Sequence, residues 1–321
     1  MDIFYLTLSQ MLTMSTFILV GYLLRKSNIL PESAQSTLSK LETYFLGPAL
    51  ILYTWMNKCT PVTLRENSTL ILYGLALVSV AVLLSYPLSR LFVRKAVTPE
   101  LEYQRNIYKY AMVFANHGFL GNFLVLEIWG SEMFFKYSIF TLFLHFITNS
   151  WGVFILIPKG EGRQNLKDLL RRILNPQMLA LLAGMILGLC NVKDYVPEFI
   201  TNALSSAGDC MGPVAMILAG VVIGSYNIKE LLTYKKVYLA SLMRLIVLPA
   251  CFATVLILLD TPKEILSLVL VAFAAPLGMN TIVFPAAYGG DVKTGASMTM
   301  ISSVLSVVTL PLMYLFFIVL A

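Results

Sequence analysis

Apolar segments about as long as a lipid bilayer is thick recur along the whole chain. A helix crosses a bilayer with roughly 20 mostly apolar residues. Ten segments meet that length, at 3–24, 37–57, 69–93, 105–128, 133–157, 174–191, 199–225, 236–259, 263–287 and 291–320. In lipid every backbone N–H and C=O must be satisfied within the protein, and separate apolar segments of this length do so as helices. The expected fold is therefore an all-α membrane protein of ten transmembrane helices. The composition excludes a soluble domain, because 58% of residues are hydrophobic and 12% charged, against about 25% charged in soluble proteins. The first span does not read as a cleaved signal peptide, since it starts Met1-Asp2 without a basic leader and is followed by Arg25 and Lys26.

The net charge of +6 is an orientation signal. With their flanking turns, the loops after spans one, three, five, seven and nine hold seventeen of the 23 Lys and Arg; the other four hold five. By the positive-inside rule the first set faces the cytoplasm. Both termini are then extracytoplasmic, in a multi-pass protein of the cell inner (plasma) membrane. The bilayer accounts for the basic balance, and no nucleic-acid partner is expected.

The longest polar segment, Lys159–Arg172, reads as a cytoplasmic linker between residues 1–158 and 173–321. Five spans on each side force the second set to enter the membrane from the opposite face. The halves are then inverted repeats, an architecture of secondary transporters. Matching interruptions support this. Phe114-Ala115-Asn116-His117-Gly118-Phe119-Leu120-Gly121-Asn122 in span four corresponds to Phe273-Ala274-Ala275-Pro276-Leu277-Gly278-Met279-Asn280-Thr281 in span nine. Gly47-Pro48 likewise pairs with Gly212-Pro213, and Pro87 with Pro249. Gly184/Gly188, Gly208/Gly212 and Gly220/Gly224 have the spacing of close helix contacts, and packing is the favoured reading for them.

Glycine, asparagine and proline inside apolar spans indicate unwound backbone, which lipid tolerates only where protein buries it or it lines a cavity. Two unwound helices crossing near the midplane would aim half-helix N-termini, each carrying about half a positive charge, at one point. An anion could be held there by backbone donors. Asn116, Asn122, Asn280 and Thr281 supply polar side chains; Gly118 and Gly121 permit the unwinding; Pro276 removes an N–H. His117 lies in the break and could titrate near neutral pH, whereas His145 reads as a packing residue. A charge at the centre of a span costs about 2.5–3.5 kcal/mol. Arg244 in span eight could pair with Asp209, bind an anion, or snorkel to the inner surface. Asp209 is a candidate proton or cation site, with a water-facing position near a helix start equally open. Glu127 is expected at the outer end of span four.

The four cysteines, Cys59, Cys190, Cys210 and Cys251, have no metal-ligand spacing. Cys59 and Cys190 fall near one face, where a disulfide is conceivable, but packing is favoured. No HExxH, GxSxG or P-loop pattern is present, so the chain does not read as an enzyme, and no metal or other cofactor is expected.

With these segments the chain resembles the auxin efflux carrier family, which includes bacterial malate and malonate permeases and is grouped with the bile acid/sodium symporters. Asn116-x-Gly118-Phe119-x-Gly121, Leu174-Asn175-Pro176, Arg244-Leu245 with Pro249, Ala275-Pro276, Tyr288-Gly289-Gly290-Asp291 and Ser306-Val307-Val308-Thr309-Leu310-Pro311 carry the resemblance. It implies two inverted five-helix repeats, a substrate site where helices four and nine cross, and elevator-like movement of organic anions. One departure stands out: the family usually has proline two residues after the second glycine of the span-four motif, where this chain has Phe123. The expected function is carriage of small mono- or dicarboxylates such as malate or malonate. The expected site is Asn116, His117, Gly118, Gly121, Asn122, Pro276, Asn280 and Thr281, with Asp209 and Arg244 as coupling or charge-pair candidates. The coupling ion, if any, is H+ before Na+, and a homodimer is possible. Alternatives are a sodium-coupled carrier of a bulky apolar anion and, from another class, a membrane receptor or intramembrane enzyme.

Overall fold

The computed structural model describes residues 2–158, 170, 174–287 and 290–320. Every regular element among them is helical. Helices long and apolar enough to cross a membrane occupy Phe4–Lys26, Ser68–Phe92, Pro99–Phe140, Glu198–Gly224, Lys235–Leu258 and Val292–Val319, and shorter apolar helices occupy Leu142–Leu156 and Pro176–Leu189. The Pro99–Phe140 stretch is interrupted after Val113, and the two remaining apolar segments are also helices in pieces. Span two runs as Ala34–Leu41, a π-helical turn at Glu42–Leu46 and Gly47–Lys58; span nine runs as Lys263–Ala274 and Asn280–Ala287. The linker expected at Lys159–Arg172 lies outside the described residues apart from Leu170.

Local chemistry sets several helix starts. Thr98, Asn175 and Asp291 each accept a main-chain N–H from the first turn that follows, from Leu101, Met178 and Lys293 respectively. Pro99 and Pro176 occupy the first helical position, where a missing N–H costs nothing. Gly130 separates the Asn122–Trp129 stretch from the helix leading into span five. Its φ of 78° is a left-handed conformation open to glycine without strain, so these two spans need almost no loop.

The helices sort into two groups by contact. Residues 2–26, 34–58, 176–189 and 198–224 pack chiefly on one another; so do 68–92, 99–113, 142–156, 235–258, 263–274 and 292–319. Within the first group the glycine pairs let backbones touch. Gly220 lies against the carbonyl of Ile18, Gly188 against those of Trp55 and Cys59, and Gly208 against Leu50. Packing, as expected, is their role; in lipid such van der Waals contact replaces hydrophobic burial as the force joining helices. Large apolar side chains remain on the outside, Leu83 at 70%, Phe199 at 74% and Leu258 at 77% exposure. That would be a liability in water and suits a lipid-facing surface.

All four cysteines are free; Cys59 is buried, as the packing reading expects, whereas Cys190, Cys210 and Cys251 are exposed and do not fit it.

Candidate functional site

Both interruptions expected from sequence are present, and they touch. The Pro99–Val113 helix ends at Phe114 in extended conformation, and a π-helical turn at His117–Gly121 leads into Asn122–Phe140. The Lys263–Ala274 helix ends at extended Ala275, and helix resumes at Asn280. The Asn116 N–H donates to the Pro276 carbonyl oxygen at 2.7 Å. Gly278 passes so close that a Cβ there would lie 3.4 Å from the Asn116 Cα. Unwinding exposes main-chain groups, and each contact at the crossing answers one of them. The Leu277 N–H donates to Ser302 Oγ at 3.0 Å, the Gly121 N–H to the Asn116 carbonyl at 3.0 Å, and Tyr137 Oη donates to the His117 carbonyl at 3.0 Å.

Beside the crossing lies a cavity of about 280 Å³. One wall is Asn116, His117, Gly118, Gly278 and Asn280 from the two broken segments, joined by His145, Thr148 and Asn149; the facing wall is Ser39, Thr43, Asn175 and Gln177. It thus sits where the two helix groups meet. The Asn280 amide donates to Tyr110 Oη at 2.8 Å. His117 is buried, with Nδ1 3.1 Å from the Ala115 carbonyl and Nε2 unpartnered. Its ring centroid is 4.7 Å from that of His145. His145 therefore lines the cavity, a placement the packing reading did not anticipate.

The other expected residues stand behind this surface. Gly121 packs against Tyr137 Oη, and Thr281, fully buried, reaches the Gly278 carbonyl at 3.4 Å. Pro276 contributes its carbonyl to the crossing, and Asn122 is buried away from the cavity. Phe123, which replaces the expected proline, packs its ring onto Gly212 of the opposite helix group. Span four breaks without that proline because Asn116, with φ −78° and ψ 50°, leaves helical geometry by itself.

Arg244 is 1% exposed, and none of its three guanidinium nitrogens has a hydrogen-bond partner. It neither snorkels nor pairs with Asp209, which is exposed on the 198–224 helix. Its turn packs against the 99–113, 263–274 and 292–314 helices, and its charge is felt at Tyr110 and at His117, although Arg244 itself is not among the residues lining the cavity. Tyr110, Tyr137, Ser302 and Gln177 were not foreseen. Their partners lie tens to more than a hundred residues away in the chain, and only Gln177 had a nearby signal, in Asn175-Pro176.

Apolar helices around a polar cavity, with two helices broken at its wall, define a membrane carrier. Residues 6–314 match the membrane transport protein family, and the chain belongs to that family. The expected resemblance to auxin efflux carriers is thereby confirmed, and the protein is a multi-pass membrane transporter rather than an enzyme. It is also similar to an uncharacterized transporter of Methanocaldococcus jannaschii, with 25% identity over 299 residues covering 92% of this chain and 94% of that protein.

Proposed function

We propose that the protein carries small organic anions, mono- or dicarboxylates of the size of malate or malonate, and binds them at the crossing of its broken helices. The observation that carries this reading is a buried, unpartnered guanidinium, Arg244, whose charge is felt at the cavity-lining His117, while the side chains at the crossing are uncharged. A cation held without a counter-ion costs several kcal/mol, and an anion arriving in the cavity offsets that cost. The half-helix beginning at Asn280 adds the positive end of its dipole; of its first N–H groups, those of Ile282 and Val283 already donate to the Met279 carbonyl, which leaves Asn280 and Thr281 as main-chain donors.

Cavity size and lining favour this over the bulky-anion alternative. About 280 Å³ lies at the lower edge of the roughly 300–1,000 Å³ of pockets for drug-sized ligands, and its amides, hydroxyls and imidazoles stand beside Ala115, Phe119, Met279, Val283 and Phe284, polar groups to orient a carboxylate and apolar ones to cover a short carbon chain. Among the described residues no group of three acidic, His or Cys side chains is poised for a metal ion. Alternating access would follow from sliding of the group holding the crossing against the group holding Ser39, Thr43, Asn175 and Gln177. Ten spans in two inverted repeats, termini outside and placement in the cell's inner membrane complete the reading.

A thermal-shift screen of carboxylates over pH and sodium, followed by flux of the hit in proteoliposomes, tests it. Asn116→Ala and Asn280→Ala are each expected to abolish the ligand-induced shift. An undiminished shift in both variants would remove the crossing as the site.

A further inference from the structure

Among the described residues Glu42 is, with Arg244, one of two buried side chains of the Asp, Glu, Lys and Arg types, and carriage as proposed above makes no use of it. It is 0% exposed, and neither carboxyl oxygen has a hydrogen-bond partner. It begins the π-helical turn Glu42–Leu46, in the middle of the 34–58 helix, where the 176–189 and 198–224 helices pack against it.

No neighbouring charge explains it. The 176–189 helix has no titratable side chain, and the 198–224 helix has Glu198, Asp209 and Cys210, all exposed. On its own helix the groups are Lys40 and Tyr44, both exposed, and Tyr53 and Lys58 further along. Among the described residues no ion pair includes Glu42. Its immediate neighbour Thr43 and Ser39, one turn back, do line the cavity. Gln177 of the same wall lies over the turn: a Cβ on Gly47 would come 2.7 Å from its Nε2 and 3.1 Å from the Glu42 carbonyl. Glu42 itself is not in the cavity lining, but its chain neighbours Ser39 and Thr43 are, and the titratable His117 and His145 line the same cavity.

We propose that Glu42 is a proton-binding site of the carrier, holding a proton in this arrangement and exchanging it with cavity water when the facing group slides past. An ionised carboxylate here would be an isolated buried charge, costing several kcal/mol. The neutral acid leaves only ordinary hydrogen bonds unmade, about 1–3 kcal/mol, so the protonated form wins. Binding forms one O–H bond on the carboxylate; release returns H+ to water through the Ser39 and Thr43 side. One proton moving with one monocarboxylate transfers no net charge. A pH gradient, rather than the membrane potential, would then drive accumulation of a monocarboxylate; malate, a dianion at neutral pH, keeps one negative charge beside its proton, so for it the pH gradient acts together with the membrane potential. The coupling half of the inference rests on the anion-carrier reading; the proton site itself does not.

The experiment has two arms on the full-length protein. Infrared difference spectra of purified protein at neutral pH read the carbonyl stretch of protonated carboxylic acids, in wild type and in Glu42→Gln. In proteoliposomes with trapped pyranine, and with the membrane potential held at zero by valinomycin and equal potassium on both sides, labelled malate is followed with and without an imposed pH gradient. The wild type should show a protonated-acid band that Glu42→Gln lacks. Glu42→Gln should still exchange malate but lose pH-driven accumulation at least tenfold. A band unaltered by the substitution, or proton flux that persists in Glu42→Gln, overturns the proposal. Absence of malate flux in wild type with the band present sinks the malate reading and leaves the proton site standing on the infrared result. Glu42→Gln keeps shape and neutrality, and an unchanged melting temperature would exclude misfolding as the cause of any loss.

Discussion

Ser302→Ala should destabilise the protein through a backbone group twenty-five residues earlier in the chain. Ser302 is fully buried, and its Oγ is the acceptor for the Leu277 N–H, which the break in span nine has removed from any helical ladder. Without the hydroxyl this N–H is orphaned at a depth where no water replaces it, at a cost of about 1–3 kcal/mol. Ser306 provides the control. It lies one turn further along the same helix and is equally buried, but its hydroxyl only donates to the Ser303 carbonyl at 2.7 Å. Ser306→Ala orphans no donor, and its cost should stay below about 1 kcal/mol. Both variants delete the same atom from the same helix, so the difference of about 1–2 kcal/mol isolates the crossing; it corresponds to roughly 5- to 30-fold in the folded-to-unfolded ratio. Reversible unfolding in mixed micelles, followed by tryptophan fluorescence, measures it. Equal midpoints for the two variants would refute the claim that Ser302 supports the unwound segment.

Three further outcomes follow from the same geometry. Arg244→Met should raise the melting temperature of ligand-free protein, because it removes an uncompensated buried charge of the kind that costs about 3–5 kcal/mol, while the carboxylate-induced shift disappears. A fall in ligand-free stability would mean that the guanidinium has structural partners. Gly212→Ala should cost about 1–3 kcal/mol by driving a methyl into the Phe123 ring; a double-mutant cycle with Phe123→Ala should recover most of it, and strict additivity would show that the two do not meet. Asn280→Ala should weaken binding more than Thr281→Ala, since Asn280 lines the cavity and Thr281 stands behind it; titration calorimetry with the identified carboxylate ranks them.

Much of the fold was legible in the chain because the bilayer restricts what an apolar segment can do. Each of the ten segments is helical among the described residues, and both breaks fall where Gly, Asn and Pro interrupt apolar runs. The site was legible only in part. Asn116, His117, Gly118 and Asn280 line the cavity, while Gly121, Asn122, Pro276 and Thr281 support it from behind. Periodicity cannot tell these two sets apart once the helix is unwound, because neither 3.6 nor 2 residues per repeat applies. Glu42 is the instructive omission. It is a charge inside an apolar span, the same signal that singled out Arg244, but it lies near the start of span two, where a charged side chain ordinarily reaches water.

Hydropathy, charge distribution and the positions of helix-breaking residues determined by themselves that this is a helical membrane protein with two interrupted spans. Those properties are set by transfer of each segment from water to lipid, which acts on local sequence. Contact between the breaks, the cavity at the meeting of two helix groups, and the lack of partners for Arg244 and Glu42 were decided by tertiary structure alone. Each depends on which distant residues approach within hydrogen-bonding distance. A buried charge gains its meaning from what is missing around it, and a linear sequence holds no record of that.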